Sequence, residues 1–246
     1  MLVDMLKKSL TLGFKLLNKI LGIRPEYIFV MGHMRSGSSL LSHLLLSNTQ
    51  INGLGESNAI YQTPPELWRL ALKSQLKARR LSKNSFYLDQ INHNEKTPNY
   101  ELLKNENIKV ILLIRNPQET VASIMKLAEE YYEPWTQQRA EKYLTDRYKG
   151  LITIARLLPE ERVIWVEYEK LTEQSDSTLD SLSNFLSLKS KLKAQYDTFG
   201  FTGKHGDPSD KLRSGKVGAR SPGKNTIEVS EQCSKVYARC QALATA

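Results

Sequence analysis

The feature that most constrains the fold is the stretch YIFVMGHMRSGSSLLSHLLLSN at residues 27–48. Its first part, Tyr27–Met31, is a short run of β-branched, aromatic and other apolar side chains, which is typical of a buried parallel strand. A glycine-containing turn follows, and from about Ser38 to Ser47 the pattern predicts a helix that is apolar on most faces. A strand that passes through a glycine turn into a helix is the layout of a phosphate-binding loop.

Three further apolar runs predict strands, and helical patterns lie between them. The predicted strands are Ser85–Ile91, Lys109–Ile114 and Arg162–Tyr168. The predicted helices are Pro65–Leu81, Pro117–Tyr132, Thr136–Leu157, Asp176–Leu186 and a final helix at Ser230–Leu243. Strands that alternate with helices predict an α/β fold with a central parallel sheet, covered by helices on both faces. A chain of 246 residues is long enough for one such domain, and we assign residues 25–246 to it.

Residues 1–24 are predicted to form a basic amphipathic helix ahead of this domain. Its apolar stripe comprises Leu6, Leu10, Phe14, Leu17 and Leu21, and lysines interrupt every apolar run before it reaches the ~18–20 residues that a membrane span needs. No small-residue cleavage site follows an uninterrupted apolar segment, so a secretory signal is not expected. Such a helix suits an anionic membrane surface, and it equally suits packing on its own domain or on a partner subunit.

Composition indicates which classes of ligand and which cellular compartment to expect. The chain has 35 Lys and Arg against 26 Asp and Glu, a formal charge of +9, which favours an anionic ligand such as a nucleotide, a glycan or a membrane surface. No basic stripe interleaved with aromatic residues occurs, so no nucleic acid is expected. The two cysteines, Cys233 and Cys240, would lie about 10 Å apart on a helix, too far for a disulfide. No Cys/His cluster indicates a metal, and a cytoplasmic setting is expected.

The turn after the first strand is predicted to bind an anion. Its backbone N–H groups stand at a helix N-terminus, where the helix dipole favours negative charge. Arg35 adds a fork of donors that can bridge two oxygens. His33, inside the same turn, is expected to orient the backbone rather than to perform chemistry. The predicted donors after Arg35 are Ser36, Gly37, Ser38 and Ser39.

Two parts of the metal-dependent machinery of nucleoside triphosphatases are replaced in this chain. Their loop reads Gly-x-x-x-x-Gly-Lys-Ser/Thr, and Gly32 and Gly37 keep the glycine spacing, but Ser38 stands in place of the lysine. Such enzymes also hold Mg²⁺ with an Asp, usually at the end of an apolar strand. In this chain the residue that follows the strand Lys109–Ile114 is Arg115. The pattern favours a ligand with a 5′ phosphate-like group and no metal, and a P-loop nucleotide kinase is the alternative.

A second anion site is predicted directly after the strand KVILLI, in the segment RNPQETVAS at residues 115–123. Pro117 suits the first turn of a helix, because its missing N–H would have no partner there anyway. Arg115 would stand at the strand end and Ser123 two turns into the helix, so both side chains can converge on one phosphate. The two sites together indicate a nucleotide with phosphate on its 5′ and 3′ sides.

These motifs resemble those of sulfotransferases that use 3′-phosphoadenosine-5′-phosphosulfate (PAPS). In that family a P-R-S-G-T-T loop binds the 5′-phosphosulfate and R-N-P…S binds the 3′-phosphate, and MRSGSS (34–39) and RNPQETVAS (115–123) are similar, with Met for Pro and Ser for Thr. Residues 162–188 are similar to the family's strand, Y-E-x-L turn and F-L-x-L helix. EKTPNY (95–100) resembles an element of heparan sulfate sulfotransferases. The resemblance implies a P-loop NTPase-like sulfotransferase fold and metal-independent sulfuryl transfer to a hydroxyl acceptor.

The resemblance also implies roles for four residues. Arg35 would contact the leaving 5′-phosphate and the sulfuryl oxygens, and Lys96 of EKTPNY would add a second cation there. Tyrosylprotein sulfotransferases carry a catalytic glutamate at about the separation that Glu56 has from Arg35. Cytosolic small-molecule sulfotransferases use a histidine near the strand end where His93 stands. The general base is therefore left open between Glu56 and His93.

A loop rich in Gly, Lys and Arg is predicted at about residues 200–225. RSGK (213–216) is similar to a late segment that closes over the 3′-phosphate in the family, so Arg213 and Lys216 join the predicted cofactor site. The charge and EKTPNY favour a glycan or lipid-linked acceptor over a small molecule, with peripheral membrane contact through residues 1–24. A non-catalytic basic protein that binds a membrane or a glycan is the other alternative.

Overall fold

The structure is a computed structural model that describes residues 2–78, 86–200, 202–203, 210–218 and 226–245. Across this part of the chain, five strands form one sheet in the order β2-β3-β1-β4-β5, and all four pairings are parallel. The strands are β1 (Glu26–Met31), β2 (Ile51–Gly53), β3 (Phe86–Ile91), β4 (Ile108–Ile114) and β5 (Val163–Glu167). The predicted α/β fold with a central parallel sheet is confirmed.

The sheet is buried on both faces. β1 lies at its centre, where Phe29 pairs with Asp89 of β3 and with Val110 of β4. Alternate residues of the strands belong to two separate cores: Phe29 lies in one and Ile28 in the other. This placement explains why Tyr27–Met31 is apolar throughout, since a strand covered on both faces has no solvent side.

Helices pack on both faces of the sheet. The first core is completed by α3, α5, α6 and α9, and the second by α2 and α8. The helices are α1 (Leu2–Ile20), α2 (Ser38–Leu46), α3 (Pro64–Ala78), α4 (Tyr100–Leu103), α5 (Pro117–Tyr131), α6 (Gln137–Leu157), α7 (Tyr168–Glu173), α8 (Ser175–Phe185) and α9 (Glu231–Thr245). Short 3₁₀ turns lie at Asn94–Lys96, Glu160–Arg162 and Asp210–Ser214.

Several predicted boundaries need correction. The strand predicted to reach Tyr168 ends at Glu167, and Tyr168 begins α7. The edge strand β2 was not predicted, because three residues carry no periodic pattern. The predicted end of α3 at Leu81 and the predicted strand start at Ser85 lie outside the described residues. The predicted loop at 200–225 contains the turn Asp210–Ser214, while its residues 201, 204–209 and 219–225 lie outside the described part.

Two further features concern the helices near the two ends of the chain. Cys233 and Cys240 are buried in α9 and both thiols are free, as predicted. At the other end of the chain, α1 packs on α3, with the Phe14 ring edge-on to Trp68 at a centroid distance of 6.2 Å. Within the described ranges, no helix has both the length and the apolar character to cross a membrane.

Candidate functional site

The loops that follow β1, β3 and β4 open into one cavity with a volume of about 1130 Å³. These loops share the carboxyl edge of the sheet, where ligands bind in open parallel α/β folds. Nine of the predicted site residues line the cavity: Arg35, Gly37, Ser38, Ser39, Glu56, His93, Arg115, Ser123 and Lys216. Among the described residues, Ser36, Lys96 and Arg213 are not part of this lining.

The N-terminus of α2 faces the cavity through Gly37, Ser38 and Ser39. Gly37 is the residue that caps this helix, so the capping position offers the first N–H groups no side chain, and the first turn contains no acidic residue. The leading N–H groups of a helix have no acceptor within the helix. The cavity therefore meets a set of backbone donors and the positive end of a helix dipole, which favours an anion.

Gly37 is required at this position for two reasons. Its φ of 90° lies in the left-handed region, which residues with a Cβ rarely adopt. A Cβ there would also stand 2.2 Å from Cδ2 of Tyr168. The Tyr168 ring lies between the loop and Arg115, whose guanidinium carbon is 4.5 Å from the ring centroid. Sequence reasoning did not identify Tyr168 as a site residue, although it is the tyrosine of the Y-E-x-L segment.

The two predicted anion sites form one continuous network. Arg35 Nε donates to Ser123 Oγ at 2.9 Å, which joins the first site to the second. Arg115 Nη1 donates to the Arg35 carbonyl oxygen at 3.1 Å, and Arg115 Nη2 pairs with Glu119 Oε2 at 2.9 Å. The φ of Arg35 is 63°, a conformation that costs roughly 1–3 kcal/mol for a residue with a side chain, and the Arg115 contact supports it.

One donor of this network has no acceptor in the part of the chain that the structure describes. Arg115 Nε is buried and makes no hydrogen bond to any described residue. Backbone contacts fix the arginine from both sides: Tyr148 Oη donates to the Arg115 carbonyl oxygen at 2.6 Å, and the N–H of Asn116 donates to Glu169 Oε1 at 3.0 Å. Because a buried donor without a partner is costly, the position is suited to a ligand oxygen.

Arg147, which sequence reasoning missed, holds the strand ends beneath the site. Its Nε donates to the Gly32 carbonyl oxygen at 2.6 Å and its Nη2 to the Ile91 carbonyl oxygen at 2.8 Å. Its Nη1 donates to Asn94 Oδ1 and Thr97 Oγ1. Burial lowers the pKa of Arg147 to about 10, so the side chain stays charged at neutral pH. The available signal was an arginine on the apolar stripe of α6.

His33 and Tyr143 support the same loop. His33 is fully buried with Nδ1 2.9 Å from the Met34 carbonyl oxygen, and burial lowers the pKa of this histidine to about 3. The ring is therefore neutral at physiological pH and contacts the backbone of the loop. The Tyr143 hydroxyl accepts from the Met34 N–H at 2.9 Å and donates to the Asn92 carbonyl oxygen at 2.8 Å. This hydroxyl thus ties the loop after β1 to the loop after β3.

Glu56 presents a partly desolvated carboxylate to the cavity. Burial raises its pKa above the ordinary value of 4.5, a hydrogen bond with Asn92 partly offsets this, and the nearby Asp89 carboxylate raises it further. Gln90 Nε2 donates to Glu56 Oε2 at 3.3 Å. Gln90 is itself fixed by Ser42 of α2, whose hydroxyl donates to Oε1 at 3.0 Å. A positioned carboxylate with a raised pKa is suited to take a proton near neutral pH.

Asp89 holds the segment that carries Glu56. Its buried carboxylate accepts from the Ser57 N–H at 2.9 Å, from the Ser57 hydroxyl and from the Tyr61 hydroxyl at 2.6 Å. Burial raises the pKa of Asp89, and the bonds from Ser57 and Tyr61 act in the opposite direction. The anchored segment leaves Glu56 little freedom to move away from the cavity.

The remaining predicted residues have different positions. His93 lines the cavity, and burial lowers its pKa, with Glu95 acting in the opposite direction. Lys96 belongs to the 3₁₀ turn after His93, outside the cavity lining, so the geometry lends no support to the predicted second cation. Arg213 lies against Gly203, whose added Cβ would be 3.2 Å from Arg213 Nη2. Lys216 lines the cavity from the segment that pairs with Gln195.

Another part of the lining is apolar and was not predicted. α5 contributes successive residues of one helical face, and the segment after it contributes two aromatic rings. The Trp135 ring lies under the Arg139 guanidinium at 4.3 Å. The apolar and aromatic residues of this wall are Ile124, Leu127, Ala128, Tyr132 and Trp135.

Comparison with known proteins agrees with this arrangement. The family model described as "Sulfotransferase domain" matches residues 25–239. The fold is similar to the sulfotransferase domain from the curacin biosynthetic pathway, with a TM-score of 0.60 and 15% identity over 89% of this chain and 98% of the other. It is also similar to a sulfotransferase from Alicyclobacillus acidocaldarius, with a TM-score of 0.55 and 12% identity over 90% and 96% of the two chains.

A third similar structure is the sulfotransferase domain from the Synechococcus PCC 7002 olefin synthase, with a TM-score of 0.53 and 17% identity over 90% of this chain and 95% of the other. A search of curated protein sequences finds no significant match. At these identities the structural similarities establish the fold, while the family match covers most of the chain.

Proposed function

Because the chain belongs to the sulfotransferase domain family, we propose that it transfers the sulfuryl group of PAPS to a hydroxyl group of an acceptor. The observation that carries the proposal is the junction of the two anion sites in one cavity, where Arg35 contacts Ser123 and Arg115 contacts the Arg35 carbonyl. A nucleotide with phosphate on both sides of its ribose is the ligand that uses both sites together.

The donor would bind through groups that the structure leaves facing the cavity. The first N–H groups of α2 and the hydroxyls of Ser38 and Ser39 suit the 5′-phosphosulfate. The Nε of Arg115, which has no acceptor among the described residues, suits an oxygen of the 3′-phosphate. Arg35 stands between these two sets of donors and can stabilise the charge that develops on the leaving phosphate.

The reaction would be an in-line displacement at sulfur. The acceptor oxygen forms a bond to sulfur as the bond between sulfur and the 5′-phosphate oxygen breaks, and adenosine 3′,5′-bisphosphate leaves. The Glu56 carboxylate takes the proton of the acceptor hydroxyl. Charge stabilisation by fixed donors and correct positioning supply most of the catalysis in such a transfer.

Glu56 is our choice for the general base over His93. Both line the cavity, but burial raises the pKa of Glu56, which makes its carboxylate a stronger base, whereas burial lowers the pKa of His93, which makes its imidazole a weaker one. The bonds that Gln90 makes to Glu56 and to Ser42 also fix the carboxylate relative to α2, which carries the donor site. His93 has a lowered pKa and no comparable link to α2 among the described contacts.

The acceptor would combine a hydroxyl with an apolar or aromatic part. The apolar wall from Ile124 to Trp135 supplies a contact surface for such a part. Arg139, at the Trp135 ring, adds a positive charge to the same wall. These features favour a lipid-linked or aromatic acceptor over a wholly polar glycan chain.

The proposal is tested by a transfer assay with labelled PAPS and a panel of hydroxyl acceptors. The panel spans glycans, lipid-linked alcohols and phenols, and each is tested with EDTA and with added Mg²⁺. We expect transfer to at least one apolar or aromatic acceptor, unchanged by EDTA. A protein that instead transfers phosphate from ATP only with Mg²⁺ would be the nucleotide kinase of the alternative interpretation. Failure to transfer sulfate to any acceptor class would contradict the proposal.

A further inference from the structure

The helix α1 packs on the rest of the chain with its less apolar side. Thr11 and Asn18, seven residues apart and therefore on the same side of the helix, are its buried residues among those described. Phe14 is the aromatic contact of this side, against Trp68 of α3. Asn18 satisfies its amide within α1, by donating to the Phe14 carbonyl oxygen at 2.8 Å.

The outward side of α1 is apolar. Its large side chains fall into two adjacent stripes, spaced by four and seven residues, which places them on one surface of the helix. These side chains are 47–81% exposed, whereas the core residues Ile28 and Phe29 are fully buried. The stripes, which we call the α1 outer face, consist of Leu6, Leu10, Leu17 and Leu21 and of Met5, Leu12, Leu16 and Ile20.

A row of lysines borders this face. Lys8, Lys15 and Lys19 are exposed and follow Met5, Leu12 and Leu16 by three residues each, which makes each lysine the helical neighbour of an apolar residue on the face. Long lysine stems can lie along an apolar surface while the ammonium groups stay in contact with water or headgroups. The border row therefore adds positive charge at the level where an apolar face would meet lipid headgroups.

We propose that the α1 outer face binds the surface of an anionic lipid bilayer. The helix would lie in the plane of the interface, since one side is held by α3 and the opposite side carries the apolar residues. Apolar burial would then be reinforced by attraction between the lysine row and anionic headgroups, which is the combination that interfacial amphipathic helices use. The proposal does not rest on the function of the cavity, because no residue of the α1 outer face lines it.

The charge pattern disfavours binding of a second copy of the chain to the α1 outer face. A symmetric dimer through this face would bring two lysine rows to one interface. The segment Leu2–Ile20 contains four lysines and a single acidic residue, Asp4. Helix pairs of this kind normally place complementary charges beside the apolar seam, and this helix lacks them.

The test is co-sedimentation of the full chain with vesicles of phosphatidylcholine alone and of phosphatidylcholine mixed with phosphatidylserine. We expect binding to the mixed vesicles that is at least roughly tenfold tighter than to phosphatidylcholine vesicles and that weakens with salt. Leu10→Gln/Leu17→Gln should reduce binding at least roughly tenfold, since glutamine keeps helix propensity and removes apolar surface. Lys15→Gln/Lys19→Gln should reduce it roughly 30-fold on mixed vesicles, at about 1 kcal/mol per lysine.

A matched control separates the lysine row from the overall positive charge. Lys149→Gln/Lys235→Gln removes the same charge from α6 and α9, where both lysines are exposed and paired with Asp146 and Glu231. This control should leave vesicle binding nearly unchanged. Equal losses in both lysine variants, or no binding to either vesicle, would overturn the proposal. So would a lipid-free dimer in sedimentation velocity that Leu10→Gln/Leu17→Gln converts to monomer, because the occupant would then be a second copy.

Discussion

The Glu56 carboxylate is held in a position that disfavours its charged form. Burial and the neighbouring Asp89 raise its pKa, and only the bonded Asn92 acts in the opposite direction. A protein gains nothing in stability from such a group. At a cavity next to a helix N-terminus, however, the same property makes a carboxylate a better base, and raised pKa values are typical of functional sites.

The variant Glu56→Gln should separate the effect of this carboxylate on catalysis from its effect on stability. We expect kcat for sulfuryl transfer to fall by roughly 10²–10⁴-fold, the usual contribution of a general base. Binding of adenosine 3′,5′-bisphosphate should be unchanged. His93→Gln is the comparison, with a smaller loss expected. A His93→Gln variant that loses as much activity as Glu56→Gln, or an active Glu56→Gln, would move the role of base away from Glu56.

The stability of Glu56→Gln should change in the opposite direction from its activity. Because the folded pKa of Glu56 is raised, the ionised carboxylate destabilises the fold at neutral pH. This penalty decreases as the pH falls through the raised folded pKa and is absent below the ordinary value of 4.5, where both folded and unfolded states are protonated. We expect the variant to be more stable by roughly 0.5–1 kcal/mol at pH 7 and equal to wild type at low pH, in urea unfolding at both pH values. A loss of stability at pH 7 would contradict the assigned pKa direction.

Arg147 is the residue on which the geometry of the strand ends depends. Replacing it by methionine removes the guanidinium bonds to the carbonyl oxygens of Gly32 and Ile91, and of these two oxygens the one of Ile91 keeps the bond from the Gly32 N–H. We expect Arg147→Met to lower the free energy of unfolding by at least about 3 kcal/mol. Arg156→Met, an exposed position on the same helix, should cost less than about 1 kcal/mol. Similar costs for the two variants in denaturant unfolding would show that the Arg147 contacts are not stabilising.

Among the helices and strands, the element that defines the site is the turn into α2. It combines a left-handed Gly37 with the Tyr168 ring from the start of α7, so two distant segments determine the loop together. The segment Tyr168-Glu169 serves the second anion site as well, because Glu169 accepts from the Asn116 N–H. A short helix that begins directly at the end of β5 is therefore a structural support of both anion sites.

The substitution of glycine by alanine should have opposite effects on the stability of the fold at Gly37 and Gly13. Gly37→Ala is expected to destabilise the fold by roughly 1–3 kcal/mol and to abolish nucleotide binding, owing to its φ of 90° and the 2.2 Å approach to Tyr168. Gly13→Ala, in the interior of α1, should stabilise the fold by up to about 1 kcal/mol, because the added Cβ would meet no other described part of the chain within 4 Å. Thermal unfolding and calorimetry measure both effects. A Gly37→Ala variant that binds nucleotide normally would contradict the assigned role of the turn.

The elements differ in how far the sequence predicts them. β1, β3, β4 and the helices at both faces could be predicted, because long apolar runs and helical periodicity report burial directly. Glycine spacing and the strand–turn–helix order pointed to the turn after β1, and the end of the apolar run of β4 pointed to Arg115; both line the cavity. The contact of Arg35 with Ser123 could not be predicted, since spacing does not report which way a side chain turns. Tyr168 was assigned to a strand because the apolar run of β5 continues into it.

At the scale of the whole molecule, the net charge of +9 does not reveal where the positive charges lie. The cavity draws its positive character from a helix N-terminus, Arg35, Arg115 and Lys216, whereas the α1 outer face carries its own lysine row. Arg147 was missed for a related reason, since its partners are backbone carbonyls brought together by the fold of the whole sheet. Neither composition nor local pattern reports such contacts.

The proposed sulfuryl transfer requires that the cavity bind a nucleotide with phosphate at both the 5′ and 3′ positions. The most direct measurement is calorimetric titration of adenosine 3′,5′-bisphosphate and of 5′-AMP in EDTA, into wild type and Arg115→Ala. We predict saturable binding of the bisphosphate to wild type, at least roughly tenfold tighter than 5′-AMP, from the charge-assisted bonds of Arg115. In Arg115→Ala this preference should disappear. No saturable binding of the bisphosphate, or equal affinity of wild type for both nucleotides, would contradict the account.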